Sequence, residues 1–90
     1  MATLDTYKTF VHVRKAAAVD DHRVDVVFAD GSRALVDFSD IIGDGPWARL
    51  ADPTFFKLAH ASYDTVIWTE EVDVAPEDVW ERAQAQLQKA

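Results

Sequence analysis

The sequence contains no cysteine. Disulfides, zinc–thiolate sites and cysteine nucleophiles are therefore excluded together, and the usage suits a reducing cytoplasm. Glycine and proline number three each in 90 residues, too few for a linker or a low-complexity tract. With 49% hydrophobic residues, the chain reads as one globular domain over residues 1–90, with its core at about 10–88. No apolar run approaches the roughly 20 residues needed to span a bilayer. The opening "MATLDTYKTF" also lacks the apolar centre of a signal peptide. A cytoplasmic protein with no membrane contact is expected.

Basic charge is scarce. Nine Lys and Arg stand against sixteen Asp and Glu, for a net charge of −7. The imbalance is local: residues 64–81 hold seven acids (Asp64, Glu70, Glu71, Asp73, Glu77, Asp78, Glu81) and no Lys or Arg. Outside that window the signs balance. Such a segment repels phosphate backbones and attracts basic surfaces, so no direct nucleic-acid contact is expected through it. Its bland reading is a solvated charged face.

What is present is strand alternation. Phe10 to Val19 reads as a first strand, with Val11 and Val13 alternating with His12 and Arg14. His22 to Phe28 and Ser32 to Phe38 form a second pair around Asp30-Gly31. A two-residue turn there would pair Phe28 with Arg33 and mix charged and apolar residues on both faces. A three-residue loop, Ala29-Asp30-Gly31, pairs Phe28 with Ser32, Val26 with Ala34 and Val24 with Val36, which gathers the apolar side chains on one face. It sets Arg23 opposite Asp37 and calls for Gly31 in the left-handed conformation.

Ser39 is positioned to cap a short turn through Ile42, and Gly43-Asp44-Gly45-Pro46 ends it. Asp52-Pro53 opens another short helical turn. Lys57 to Ala61 and Asp64 to Thr69 read as strands, the latter with Val66 and Trp68 on one face and Ile67 on the other. A helix over Pro76 to Lys89 follows, with Glu77 and Asp78 in its first turn and Val79, Trp80, Ala83 and Leu87 along one side. Glu81, Arg82, Gln86 and Lys89 are left for water. The fold class expected is α+β: an antiparallel sheet of about five strands packed by one C-terminal helix, with short helical turns between strands 3 and 4.

Chemistry-bearing patterns are sparse. The three histidines, His12, His22 and His60, are isolated and form no short His-x-x-x-His pair, so no metal is expected. None of Ser32, Ser39 and Ser62 stands in a Gly-x-Ser-x-Gly elbow. Glu70, Glu71 and Asp73 would do acid–base work only in a pocket that raised one pKa. There is no phosphate-cradling loop, and no enzyme activity and no cofactor are expected. Trp68 and Trp80 are expected to meet in the core. Trp47, beside Gly45-Pro46, is held open as a partner contact.

Phe28-Ala29-Asp30-Gly31, Val36-Asp37-Phe38, Gly45-Pro46-Trp47 with Leu50, Asp52-Pro53 with Phe55, Ile67-Trp68, Asp73-Val74, Pro76-Glu77 and Val79-Trp80 follow one another in an order and spacing that resembles the bacterial domain of unknown function numbered 2442. The resemblance covers about Phe10 to Trp80 and brings no catalytic residues with it. It implies an interaction module, antitoxin-like in its gene setting beside another small protein. Two departures stand out: Glu70-Glu71 replace a Gly-containing turn, and Trp80 replaces a Tyr.

The reading is thus a non-enzymatic protein-binding module, the antitoxin-like member of a two-protein system, that meets a basic protein partner through Glu70, Glu71, Asp73, Glu77, Asp78, Glu81 and Trp47. Pairing with a second copy is a further expectation, since a domain this small keeps little stability in reserve. The alternative, from a different class, is an acidic phage-type inhibitor that mimics nucleic acid and blocks a nucleic-acid-binding protein.

Overall fold

The computed structural model describes residues 11–89, with side chains as far as Ala85. Strands β1 (Val13–Ala18), β2 (Arg23–Phe28) and β3 (Arg33–Asp37) form an antiparallel meander. A 3₁₀ segment (Gly45–Ala51) and a short helix α1 (Pro53–Phe56) lead to a second antiparallel meander, β4 (His60–Ser62), β5 (Thr65–Thr69) and β6 (Val72–Asp73). Helix α2 (Pro76–Lys89) closes the chain. Among the described residues no helix is long and apolar enough to cross a membrane.

The β2–β3 hairpin has the register that the alternation demands. Arg23 lies opposite Asp37, Val24 opposite Val36 and Val26 opposite Ala34. The Gly31 N–H donates to Phe28 O (2.9 Å), the Phe28 N–H donates to Ser32 O (2.8 Å), and Gly31 sits at φ +91°. That is a turn closed by a left-handed residue, where a side chain is costly. Asp30 serves the same turn, because its carboxylate accepts from the Ser32 N–H and hydroxyl (2.9 and 2.6 Å).

The single five-stranded sheet expected from the sequence is instead two three-stranded sheets. They adjoin where β1 runs alongside β4, and the Val13 N–H donates to Asp64 O (3.0 Å) at this seam. Two features keep the ladder from running through. β4 is only three residues long, and β1 bulges at Arg14, where the register slips between Val13 and Lys15. A bulge bends and twists the strand that carries it. It also breaks the expected period of two, since Arg14 and Lys15 are both exposed and Ala16 and Ala18 turn inward. The proposed start of this strand at Phe10 lies outside the described residues. β6 has only two residues, too short to announce itself in an alternation pattern.

The core lies between the inward faces of the sheets and helix α2. Val24, Val26, Phe28, Val36, Phe38, Leu50, Phe56, Val66, Trp68 and Val79 are fully buried, and each such side chain contributes roughly 1.5–3 kcal/mol by leaving water. Ile67 is buried but stands outside this cluster, on the other side of β5, as alternation requires. Trp68 and Trp80 do not meet as expected. Trp68 packs against Phe38 and Phe56 and donates its indole N–H to Phe56 O (3.0 Å), whereas Trp80 meets the Phe28 ring edge-on at 5.0 Å. Buried Thr65 donates its hydroxyl to Val74 O (2.6 Å), fixing the chain just before α2.

Two capping expectations diverge. Asp52 caps α1 as its sequence suggests, accepting from the Thr54 N–H (3.0 Å). Ser39 does not cap the turn after β3. Asp37 does, by accepting the Ser39 N–H (2.8 Å), because a carboxylate is the stronger acceptor and stands two residues earlier in the geometry of an Asx turn.

Candidate functional site

Most carboxylates among the described residues fall into two groups, with exposed Asp44 standing apart from both. In the first, each is held by a cation or a backbone N–H. Asp20, in the β1–β2 turn, accepts from Arg23 Nε (2.7 Å) and from the His22 and Arg23 N–H groups (3.0 and 2.8 Å). These bonds, that to the Arg23 side chain foremost, bring its pKa down to about 2. On the outer face of the first sheet Arg33 grips Asp25 with two bonds, Nε to Oδ1 at 2.9 Å and Nη2 to Oδ2 at 2.5 Å, which lowers the pKa of Asp25. Arg23, although opposite Asp37 on the ladder, gives its ion pair to Asp20 (2.6 Å).

Arg82 corrects the sequence reading most. Expected to face water, its side chain is only 19% exposed. It donates from Nε to Asp78 (2.8 Å), from Nη1 and Nη2 to Asp40 (2.6 and 3.1 Å), and from Nη1 to Asp37 O (3.1 Å), while its guanidinium lies 5.2 Å from the Phe38 ring centre. The bond to Arg82 lowers the pKa of Asp40. The spacing of Asp78 and Arg82, four residues apart on a helix, marks that pair in the sequence. Asp40, 42 residues away along the chain, could not be found that way.

The second group is bare. Glu70 and Glu71 form the two-residue turn of the β5–β6 hairpin, Asp73 ends β6, and Glu77 and Glu81 stand one turn apart on α2. All five are exposed, and among the described residues none has an ion-pair partner. Of the segment's other two acids, Asp78 belongs to Arg82, and Asp64 lies 3.1 Å from His12 Nδ1. Five of the six acidic candidates are thus exposed and unpaired among the described residues, and Asp78 is paired with Arg82.

Trp47 belongs with them. It is half-buried against the core, and its indole N–H donates to Asp73 O (2.9 Å), tying the 3₁₀ segment to β6. The structure thus brings Trp47 and Asp73 together across 26 residues of chain. Nothing in their sequence spacing indicates this.

One cluster escaped the sequence reading of the histidines. Asp20, Asp21 and His22 present ligand-type atoms within 4.8 Å of one another. His22 Nδ1 lies 2.8 Å from Asp21 Oδ1, which raises the pKa of His22. Asp20 already accepts three hydrogen bonds within the β1–β2 turn.

No curated protein and no solved structure matches this chain. A family model matches residues 13–85, from the start of β1 through most of α2 and including every candidate named above. With its bulged meander, its Trp47–Asp73 tie and its C-terminal helix all inside that span, the chain belongs to the family of proteins of unknown function DUF2442.

Proposed function

We propose that this protein is a non-enzymatic protein-binding module that meets a basic protein surface through the β5–β6 turn and the first turns of α2, as the neutralising member of a two-protein system would. The observation that carries this reading is the division of the carboxylates. Asp20, Asp25, Asp40 and Asp78 are each spent on an arginine, while Glu70, Glu71, Asp73, Glu77 and Glu81 stand solvated within twelve residues. Acids without cations of their own supply long-range attraction and a register for a basic partner. Trp47 at the edge of this region supplies the kind of aromatic side chain that anchors interfaces.

The test is capture from the native host by the wild-type chain and by the triple variant Glu70→Lys, Glu71→Lys, Asp73→Lys, washed across a range of salt. The expected result is a salt-sensitive basic partner held by the wild type and lost by the variant. Equal capture by both overturns the proposal. Competition between that partner's nucleic acid and this protein would shift the reading to an acidic nucleic-acid mimic.

A further inference from the structure

The seam between the two sheets carries a surface opposite in character to the acidic segment. On the outer side of β1 lies a groove of about 620 Å³ lined by Ala17, Ala61 and Val27, with Arg14, Lys15 and Arg33 at its rim and Asp25 beside Arg33. A second hollow of about 400 Å³ continues it, sharing Arg14 and Ala61 and lined further on by Asp64 and by Tyr63, which is 71% exposed. The bulge at Arg14 creates this geometry, because it turns two consecutive basic side chains outward where a regular strand would send one inward.

Among the described residues the rim is neutralised only at Arg33. Asp25 is already clamped by Arg33, and among the described residues no carboxylate forms an ion pair with Arg14 or Lys15. The small side chains of Ala17 and Ala61 let an incoming backbone approach closely, and a rim with arginine and an exposed tyrosine has the composition of interface anchors.

We infer that this seam groove docks the Glu70–Glu71 turn of a second copy of the chain. The occupant follows from charge complementarity between two surfaces of the same molecule: Arg14 and Lys15, which pair with no carboxylate among the described residues, line the groove beside the closed Arg33–Asp25 pair, and Glu70 and Glu71, unpaired among the described residues, tip the β5–β6 hairpin. The tip is a two-residue turn, so Glu70 and Glu71 lead it. The net charge of −7 opposes self-association at long range, but that repulsion is screened beyond roughly 8 Å at physiological ionic strength, whereas the local contact is not. Since tip and groove are different patches, two copies can join reciprocally or a longer row can form. The inference rests on the acidic segment being a binding face, as in the function proposed above, and names a second copy as one of its partners.

Sedimentation analysis tests it on four samples: wild type, Arg14→Glu/Lys15→Glu, Glu70→Lys/Glu71→Lys, and an equimolar mixture of the two variants. The wild type is expected to associate at about 0.05 M salt and to dissociate at about 0.5 M. Each variant alone is expected to associate at least about tenfold more weakly. The mixture is expected to associate again, because the lysine tip of one variant meets the glutamate groove of the other. A wild type that stays monomeric at low salt, a groove variant that associates like the wild type, or a mixture no better than its components overturns the inference. All four substituted side chains are on the surface, and circular dichroism of each variant checks that the fold is kept. Partner capture from the host separates the two proposals, since the groove variant should still capture the basic partner even where self-association proves absent.

Discussion

The first meander and the segment from β5 to α2 use charge in opposite ways. In the meander and the turns that flank it, acids are consumed locally: Asp20 by Arg23, Asp25 by Arg33, Asp37 by the backbone of Ser39, and Asp40 by Arg82 arriving from the helix. In the later segment they are left over. Both regions carry several carboxylates and both are well formed, so the presence of acids by itself distinguishes nothing. The useful quantity is whether a carboxylate has a cation within reach, and that is a property of the fold. Charge used up in the first region serves the architecture, and charge left over in the second is available to something outside it.

The comparison can be broken most forcefully at Arg82. Arg82→Ala removes the link from α2 to Asp40, Asp78 and Asp37 O and the cover over Phe38, and a loss of about 2–3 kcal/mol is expected in urea unfolding. A loss below about 0.5 kcal/mol would place Arg82 with the idle surface charges. Next is Gly31→Val. No atom would meet an added Cβ, so the cost is the left-handed backbone alone, about 1–2 kcal/mol, read from the same unfolding curves.

Acid and base limbs come third. Asp20 has a folded pKa of about 2, below its ordinary 3.8, so its contribution is present above pH 4 and lost as pH falls toward 2. His22 is shifted upward from 6.5, so its contribution is complete below that value and lost as pH rises through the raised one. Stability should therefore plateau between about pH 4 and 6.5 and decline on both sides. Asp20→Asn should make the acid limb shallower, and a limb unchanged by it would mean that Asp20 is not held in solution. The smallest effect belongs to the second region. Glu70→Gln with Glu71→Gln should leave stability within about 0.5 kcal/mol of the wild type, and a larger loss would mean that these acids serve the fold after all.

The parts legible in the sequence are those set by local rules. The β2–β3 register followed from one glycine and a run of alternating valines, and the α2 boundaries from Pro76 and the two acids behind it. The seam between the sheets was hidden because the bulge at Arg14 shifts parity within a stretch, Arg14-Lys15-Ala16-Ala17-Ala18, whose alanines fit either face. β6 was hidden by its brevity, and the Ser39 cap was misassigned because Asp37 competes for the same turn. Of the candidate site, Glu70, Glu71, Asp73, Glu77 and Glu81 were legible as a run of charge. The pairing of Asp78 was legible only in part, since the arginine it meets is also held by Asp40 from another part of the chain. The Trp47–Asp73 bond was not legible, because it joins elements whose separation in sequence carries no period.

That bond has an optical consequence. Trp68 is sealed in the core and Trp80 is backed by Phe28, which leaves Trp47 as the indole that is half-buried and hydrogen-bonded to the backbone of an acidic candidate. Its fluorescence should be the one of the three that responds when a partner settles on Asp73. With Trp68 and Trp80 supplying a steady background, the protein carries an intrinsic reporter beside its proposed interface, and occupancy there can be followed without a label.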